Sequence, residues 1–239
     1  IYYIGSDGME KNLLKNYPYV KFFSISCVKF RRGIYLNNLV IPFKLLKSIK
    51  EAYKILKNIQ PDVIFSKGGY VALPVVIAGS KLKIPCITHE SDITPGLANK
   101  IMSSYCKKVF TAFDATAKRF KNKAVCTGNP IRNLDCDKNE ALKYYAFSKN
   151  LPIILFFGGS LGAKSINEFI SSNYIELTKK FNIIHITGKN NKTDIINPNY
   201  RQTEFCNDMK IAYAAADVVV CRAGANTIFE LMYLKKPSI

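Results

Sequence analysis

Short runs of β-branched and aromatic residues alternate with helical stretches along the whole chain. The runs are apolar throughout, which predicts strands that are buried on both faces. Such strands form parallel sheets covered by helices, so we expect an α/β fold. The predicted strands are residues 1–4, 22–26, 63–65, 86–88, 109–112, 124–127, 153–157, 183–187 and 218–221. The predicted helices are residues 36–58, 72–82, 96–105, 164–180 and 225–235.

The segment 128–132 reads Gly-Asn-Pro-Ile-Arg and is the most linker-like part of the chain. A polar, charged stretch follows it to about residue 150, where a second series of strands and helices begins. We therefore predict two doubly wound, Rossmann-like domains, residues 1–130 and 131–239, whose parallel sheets face a cleft. Ligands of such sheets bind beyond the carboxyl ends of the strands.

Basic residues outnumber acidic ones by 35 to 17, which gives a formal net charge of +18. This balance favours phosphorylated ligands, an anionic membrane surface or nucleic acid as partners, and a hydrated lysine-rich surface is the alternative. No nucleic-acid recognition motif or interleaved aromatic pattern is present, so we do not expect nucleic acid as a partner. The seven Cys residues include no C-x-x-C pair and favour a reducing compartment.

A Gly-rich loop, residues 158–163 (Gly-Gly-Ser-Leu-Gly-Ala), lies between a predicted strand and a predicted helix. Free N–H groups and the helix dipole at such a junction favour an anion, and the Ser160 hydroxyl could donate to a phosphate oxygen. The alternative is a tight turn that needs Gly for its backbone alone. Three Gly and one Ser exceed what a turn requires, which favours anion binding.

A second junction of this kind follows the strand at 218–221. Glu230 is predicted in the first turn of the next helix, where its carboxylate could accept hydrogen bonds from a ribose diol. The alternative is a capping box formed by Thr227 and Glu230, which needs no ligand. Arg222, just after the strand, could pair with a phosphate or with an acid.

In the first half of the chain, His89 and Glu90 follow a predicted strand. They are candidates for acid–base chemistry or hydroxyl binding, although a structural hydrogen bond is the more common role of such a pair. His185 lies inside a strand and is predicted to be core. Asp135 and Asp137 form a D-x-D pattern that lies away from any strand end, so we predict a surface position and no metal site.

Several of these segments, in this order, resemble the MurG family of glycosyltransferases. They are spread over nearly the whole chain, and the set is specific although each member alone is weak. The matching segments are residues 68–71, 89–90, 95–100, 128–132, 158–163 and 221–230. The resemblance implies a GT-B fold and an inverting transfer of GlcNAc from UDP-GlcNAc to the undecaprenyl-diphosphate-linked muramoyl peptide (lipid I to lipid II) in peptidoglycan synthesis, with no cofactor.

The resemblance also assigns residues to the two substrates. On the donor side, Arg132 and Ser160 would bind the diphosphate, Glu230 the ribose, and the main chain at Cys206 the uracil, with Gly159 as a further donor-binding residue. Asp92 would lie near the GlcNAc. The remaining donor residues would be Arg222, Ala225, Asn226, Thr227, Ile228 and Phe229. On the acceptor side the residues would be Gly69, Tyr70 and Asn99, with His89 and Glu90 as tentative catalytic residues.

The chain opens inside a predicted strand without an initiator Met and stops where another apolar run starts. We therefore expect the sequence to be part of a longer protein. The resemblance implies a further Gly-rich loop before Ile1 and a Gln-rich segment after Ile239.

The predicted helix at 43–57 has lysines on one side and apolar residues on the adjoining face. Each lysine near an anionic leaflet contributes about 1 kcal/mol, which favours peripheral binding to the cytoplasmic face of the cell membrane. The alternative is that the apolar face packs on the sheet and the lysines are hydrated. The lysines are Lys44, Lys47, Lys50, Lys54 and Lys57, preceded by Lys29, Arg31 and Arg32. The apolar residues are Leu45, Leu46, Ile49, Tyr53 and Leu56.

Two other functions fit part of the pattern. Another GT-B enzyme with a lipid acceptor, such as a diacylglycerol galactosyltransferase, would share the donor half, but the His89-Glu90 and 96–99 segments favour the MurG family. A non-catalytic subunit that binds a nucleotide sugar is the alternative from a different class.

Overall fold

A computed structural model describes residues 1–27, 41–147, 150–159 and 161–239. The chain divides into two compact units, unit 1 (Ile1–Asn129) and unit 2 (Pro130–Ile239). The division falls within the Gly-Asn-Pro-Ile-Arg segment, where Pro130 restricts the preceding residue to extended backbone.

Unit 1 contains two parallel sheets. Strand β1 (Tyr2–Gly5) pairs with β2 (Lys21–Ser24). A second sheet pairs its strands in chain order, which places the end of each next to the end of its neighbour. Its strands are β3 (Ile64–Ser66), β4 (Cys86–Glu90), β5 (Lys108–Thr111) and β6 (Ala124–Cys126). The helices are α1 (Met9–Leu13), α2 (Ile41–Ile59), α3 (Ala72–Lys81), α4 (Leu97–Met102) and α5 (Asp114–Ala117), with 3-10 turns at Leu14–Asn16 and Lys118–Lys123.

The core of unit 1 forms where α2 and α3 pack together beside the sheets. Ile49, Ala52 and Leu56 recur at helical spacing on α2 and are buried, while the lysines of the same helix are exposed. Helix α3 is apolar nearly all round and buries Val75 to Gly79. Part of the apolar face of α2 therefore packs inside the unit, as one of the two sequence-based alternatives required.

Unit 2 has one parallel sheet whose strand order is β10-β7-β8-β9. The order reverses beside β7, because the chain moves outward from β7 to β9 and then returns to the other side of β7 for β10. The strands are β7 (Ile153–Phe157), β8 (Asn182–Ile186), β9 (Tyr200–Thr203) and β10 (Val218–Cys221). The helices are α6 (Lys138–Tyr145), α7 (Lys164–Lys180), α8 (Met209–Ala215) and α9 (Ala225–Leu234).

The core of unit 2 lies on both faces of this sheet. Leu155, Ile184 and Val219 pack with α8 on one face, and Phe156, Ile170 and Ile183 form a cluster with α7 on the other. The strands are apolar in both directions for this reason, as the sequence pattern predicted. None of the helices within the described ranges is long and apolar enough to cross a bilayer.

The structure corrects the predicted elements at several places. The strands at 153–157 and 218–221 and the helix at 164–180 are confirmed at both ends. β9, α1, α5, α6 and α8 were not predicted. The predicted helix start at residue 36 lies outside the described residues, as do Lys29, Arg31 and Arg32.

Candidate functional site

The reversal of strand order in unit 2 indicates a candidate ligand site. The carboxyl ends of β7 and β10 are neighbours in the sheet, since Phe157 pairs with Cys221. A doubly wound sheet binds its ligand at this kind of switch point, where two loops leave in opposite directions. The loop after β7 is the Gly-rich segment 158–163, and the loop after β10 contains Arg222.

Backbone packing explains part of the glycine content of the first loop. Gly162 has φ +77°, and a Cβ at this position would collide with the carbonyl oxygen of Thr187. Gly159 has φ +90°, and a Cβ there would meet no atom within 4 Å, so the loop is open at this point. The turn therefore requires more of the glycines than the sequence argument allowed, and Gly159 is the one that faces free space. Ser160 lies outside the described residues.

A buried hydrogen-bond network lies next to the Gly-rich loop and supports the Thr187 carbonyl against which Gly162 packs. Asn167 on α7 donates from its carboxamide to the Thr187 carbonyl (2.9 Å), and its oxygen lies 3.0 Å from His185 Nε2. His185 Nδ1 lies 2.8 Å from the Tyr200 hydroxyl. Burial lowers the pKa of His185 to about 4, so the ring is neutral at pH 7. The prediction that His185 belongs to the core is confirmed.

Glu230, Arg132 and Tyr213 form the charged centre of the unit 2 site. Arg132 Nε donates to Glu230 Oε1 at 2.8 Å, and the Tyr213 hydroxyl donates to Glu230 Oε2 at 2.9 Å. The Glu230 side chain is 5% exposed and that of Arg132 is 53% exposed. Both carboxylate oxygens thus have a donor, and the arginine lies between the acid and solvent. Within the described part of the chain, no residue accepts a hydrogen bond from the terminal Arg132 nitrogens.

Two details of the predicted Glu230 environment were wrong. Helix α9 begins at Ala225, so Glu230 is its sixth residue and belongs to the second turn. The N-cap is Gly224 without a side-chain cap, which excludes the capping box of Thr227 with Glu230. The burial of Glu230 follows from this position, because the second turn of α9 packs against the core while the first turn reaches the sheet edge.

The other predicted donor residues lie at the same end of unit 2. Arg222 is exposed and forms no ion pair with any residue the structure describes. Cys206 borders a cavity of about 520 Å³ together with Tyr145 and Asp208. Burial raises the pKa of the Cys206 thiol, and the Asp208 and Arg132 charges act on it in opposite directions. The residues Ala225, Asn226, Thr227, Ile228 and Phe229 form the start of α9.

In unit 1, His89 is held by its neighbours. Its Nε2 donates to the Gly128 carbonyl at 2.9 Å, and its Nδ1 lies 3.2 Å from Lys67 Nζ. Lys67 also donates to Ser91 Oγ (2.9 Å) and to Asn129 Oδ1 (2.8 Å). Burial lowers the pKa of His89, so the neutral ring donates with one nitrogen and accepts with the other.

Glu90 is equally occupied. Its carboxylate accepts from the Asp92 N–H (2.9 Å), the Gly96 N–H (3.0 Å) and the Asn99 carboxamide (2.7 Å). It therefore holds the loop between β4 and α4 in place. His89 and Glu90 are 2% and 4% exposed. Their hydrogen-bonding atoms already have partners within the chain, and this favours a positioning role for both over proton transfer with a substrate hydroxyl.

The other predicted acceptor residues divide into a buried and an exposed layer. Asn99 is buried against Gly68, where φ is +92° and a Cβ would collide with the Asn99 carboxamide. Its Oδ1 has no hydrogen-bond partner among the described residues. Gly69 and Tyr70 are exposed, as is the side chain of Asp92, which was predicted on the donor side. These residues are the part of the unit 1 surface that a ligand could contact.

The D-x-D segment has a structural role. Asp137 is the N-cap of α6, and its carboxylate accepts from the N–H groups of Asn139 (2.9 Å) and Glu140 (3.0 Å). Asp135 is exposed. Throughout the described ranges, no three His, Cys, Asp or Glu side chains come together to hold a metal ion.

Both units match models of one enzyme family. The glycosyltransferase family 28 N-terminal domain matches residues 1–111, and the glycosyltransferase family 28 C-terminal domain matches residues 153–239. The chain belongs to glycosyltransferase family 28. It is therefore a glycosyltransferase, as its motifs predicted.

Curated relatives support the same family. The UDP-N-acetylglucosamine–N-acetylmuramyl-(pentapeptide) pyrophosphoryl-undecaprenol N-acetylglucosamine transferase of Clostridium botulinum is 47% identical over 246 residues, which cover 100% of this chain and 69% of the relative. The enzyme of the same name from Clostridium tetani is 48% identical, with 100% of this chain and 68% of the relative covered. The resemblance to the MurG family is confirmed.

Solved structures agree on the fold. The crystal structure of Acinetobacter baumannii MurG superposes with a TM-score of 0.63 and 29% identity, over 95% of this chain and 64% of that one. The UDP-GlcNAc 2-epimerase of Neisseria meningitidis, bound to UDP-GlcNAc, has a TM-score of 0.59 at 14% identity, over 95% of this chain and 76% of that one, and shows a shared fold alone. The predicted GT-B fold class is confirmed.

Sequence reasoning missed Lys67, Asn129, Asn167 and Tyr213. Lys67 and Asn129 are 62 positions apart, and Tyr213 and Glu230 are 17 apart, so no local spacing relates them. Lys67 directly precedes two glycines at a strand end, and this was the one local sign of a polar cluster.

Proposed function

We propose that this protein transfers GlcNAc from UDP-GlcNAc to the undecaprenyl-diphosphate-linked muramoyl peptide in peptidoglycan synthesis. The observation that carries the proposal is the Arg132–Glu230 pair of unit 2, in a chain 47% identical over its whole length to enzymes named for this reaction. That similarity favours this acceptor over another lipid acceptor, and it favours an enzyme over a non-catalytic subunit.

The donor half of the reaction rests on unit 2. Arg132 is held through Nε and exposes the rest of its guanidinium, a fork suited to phosphate oxygens. The start of α7 lies after the open Gly159 position and adds N–H groups and a favourable dipole. Glu230 is the carboxylate available to the ribose hydroxyls. We assign the donor diphosphate to Arg132 and to the helix terminus on these grounds.

The proposed transfer step uses this arrangement. The muramoyl C4 hydroxyl attacks the anomeric carbon, the bond from that carbon to the diphosphate oxygen breaks, and configuration inverts. A base takes the hydroxyl proton, and UDP leaves with the bonding electron pair. Arg132 and the α7 N-terminus stabilise the charge that develops on the leaving diphosphate. His89 and Glu90 shape the acceptor-side loops.

Calorimetric titration of the protein with UDP-GlcNAc and with UDP tests the donor assignment. We expect both ligands to bind and Glu230→Ala to abolish measurable binding. Arg132→Ala should weaken UDP-GlcNAc binding and turnover. A folded wild-type protein that binds no uridine nucleotide would overturn the glycosyltransferase assignment of this site. Unchanged affinity and turnover in Arg132→Ala would overturn the role of the arginine alone.

We further propose peripheral binding to the cytoplasmic face of the membrane through α2. Its lysines are exposed, and Phe43 and Leu46 are 75% and 56% exposed beside them. Ile49 and Leu56 pack inside unit 1, so the apolar contribution comes from the first turns of the helix. Charges of this kind contribute about 1 kcal/mol each near an anionic leaflet. Binding to phosphatidylglycerol vesicles should fall as salt rises, and salt-independent binding would contradict the electrostatic part.

A further inference from the structure

Tyr213 is a buried hydroxyl group that contacts the ribose-binding acid and has no assigned role. It lies on α8, is 1% exposed, and donates to Glu230 Oε2 at 2.9 Å. From this contact we propose that Tyr213 is a positioning residue that fixes the Glu230 carboxylate for the ribose hydroxyls of the donor. The inference rests on the proposed function and concerns the same site.

The position of the Tyr213 hydroxyl is set by the core. The ring packs edge-on against Phe157 with centroids 6.0 Å apart, and Phe157 is the last residue of β7. The same cluster of buried residues contains Leu155, Val219 and Leu231. Tyr213 therefore connects the carboxyl end of the central strand to the acid on α9. A phenol held in this way has few alternative rotamers, so its hydroxyl is a fixed point for the carboxylate.

The carboxylate still has capacity for a ligand after both contacts are made. A carboxylate offers about four lone-pair positions, and Tyr213 and Arg132 each use one of them, on different oxygens. These two donors fix the plane of the carboxylate, so the unused lone pairs point in set directions. A ribose diol that enters beside Arg132 would meet them already oriented, and less freedom is lost on binding.

The protonation state of Tyr213 suits this role. Burial raises its pKa, and the negative charge of Glu230 raises it further. The hydroxyl therefore keeps its proton over the whole range in which the enzyme is handled, and it acts as a donor only. Its effect on the donor ligand is transmitted through Glu230, because the hydroxyl has a single proton and donates it to Glu230 Oε2.

The test compares ligands that differ by one hydroxyl. UDP, 2′-deoxy-UDP and 3′-deoxy-UDP are titrated into wild type and Tyr213→Phe, which keeps the ring and deletes the hydroxyl. A hydrogen bond to a charged acceptor corresponds to about a tenfold difference or more, so wild type should prefer UDP to at least one deoxy analogue by about tenfold. In Tyr213→Phe we expect this preference to fall to about threefold or less.

Tyr200→Phe is the matched control. Tyr200 is also buried in unit 2, and its hydroxyl bonds to His185 and Thr193 and forms no hydrogen bond to Glu230. Because its network supports the Gly-rich loop, any loosening should weaken UDP and both deoxy analogues by a common factor, so the ratio of their affinities should remain at the wild-type value. If Tyr213→Phe does not fold, as judged by circular dichroism, Tyr213→Met supplies a smaller, flexible apolar side chain without a donor and should give the same loss.

The possible outcomes distinguish failure of the Tyr213 positioning role from failure of the proposed transferase function. A wild-type preference retained in Tyr213→Phe overturns the positioning role while leaving uridine binding in place. An equal loss in Tyr200→Phe overturns it as well, because general loosening of unit 2 would then explain the effect. Absence of UDP binding in wild type overturns the proposed function, and the inference with it.

Discussion

The His89–Glu90 pair of unit 1 and Arg132 of unit 2 differ in how completely the chain satisfies their polar atoms. In unit 1, His89 and Glu90 are buried, and the chain itself supplies partners for both ring nitrogens and both carboxylate oxygens. In unit 2, Arg132 is half exposed and is held through a single nitrogen. One set of residues is closed by internal hydrogen bonds, while the other retains donors that point outward. The closed residues therefore serve the architecture of unit 1, whereas Arg132 keeps donors that a ligand could use.

The largest expected effect on stability comes from removing Glu90, one of the internally hydrogen-bonded residues of unit 1. Glu90→Ala removes the acceptor of three hydrogen bonds and leaves the Asp92 and Gly96 N–H groups without it. We expect a loss of about 4 kcal/mol in the free energy of unfolding, because buried donors to a charged acceptor lose their partner. Urea denaturation followed by circular dichroism measures it.

Glu140→Ala removes an exposed carboxylate and serves as the control for Glu90→Ala. Its stability should stay within about 0.5 kcal/mol of wild type. A Glu90→Ala protein of normal stability but without turnover would contradict the structural role of Glu90 and would indicate a role in catalysis.

A pH effect of similar size is expected in unit 2, from its own closed network. The native pKa of His185 is about 4 and lies below the ordinary value of 6.5, so the unfolded chain takes up the proton first. Stability is therefore complete above about pH 6.5 and falls as the pH decreases toward 4, by about 3 kcal/mol. His185→Asn should lose this part of the pH dependence.

His89 is present in both proteins, so its own lowered pKa cancels from the difference between wild type and His185→Asn. Urea denaturation of each at pH 7, 5.5 and 4 gives the two slopes. Parallel slopes would show that His185 is accessible to protons in the folded state, contrary to its 0% exposure.

Arg132→Lys tests the open set directly. Lysine keeps the charge next to Glu230 but loses the planar fork that remains free in Arg132. We expect UDP to bind about tenfold more weakly, which corresponds to about 1.4 kcal/mol. Stability should change by less than about 1 kcal/mol, because the side chain is 53% exposed.

Arg119→Lys makes the same exchange at an exposed position of unit 1 and should leave UDP affinity unchanged. If Arg132→Lys lowered stability and left UDP affinity unchanged, Arg132 would have a structural role, as His89 and Glu90 do in unit 1.

The smallest effect concerns the D-x-D segment. Asp137→Ala deletes the cap of α6 and should cost about 1 kcal/mol of stability. UDP affinity should be unchanged, and it should be insensitive to EDTA in both proteins. A loss of affinity in Asp137→Ala, or on addition of EDTA, would place a metal where the structure has a helix cap.

Burial on both faces explains which elements could be predicted. β7 and β10 are continuous apolar runs and were located to the residue. β9 reads Tyr-Arg-Gln-Thr and lies at the edge of its sheet, where polar side chains are tolerated and the apolar pattern is absent. α6 carries Lys, Asn and Glu and was read as part of a linker for the same reason.

The location of the candidate site could be predicted from the sequence, but the hydrogen bonds between its residues could not. Strand ends and glycines indicated the Gly-rich loop, and the resemblance indicated Arg132 and Glu230. The contacts that decide their chemistry join distant parts of the chain, as between Arg132 and Glu230, which are 98 positions apart. Tyr213 lies in an apolar run, where an aromatic residue is typical of a core, so no pattern distinguished its hydroxyl.

The three hydrogen bonds of Glu90 have a consequence for cells that carry variants of this protein. A protein whose free energy of unfolding falls by several kcal/mol is removed by proteases and chaperones. Its abundance in the cell therefore falls, whatever its catalytic activity. A substitution at Glu90 would then lower the amount of protein in the cell, as deletion of the gene does. For a substitution at Arg132 we expect normal amounts of a protein that binds its donor more weakly. Growth defects alone would not separate the two, whereas the quantity of protein in the cell would.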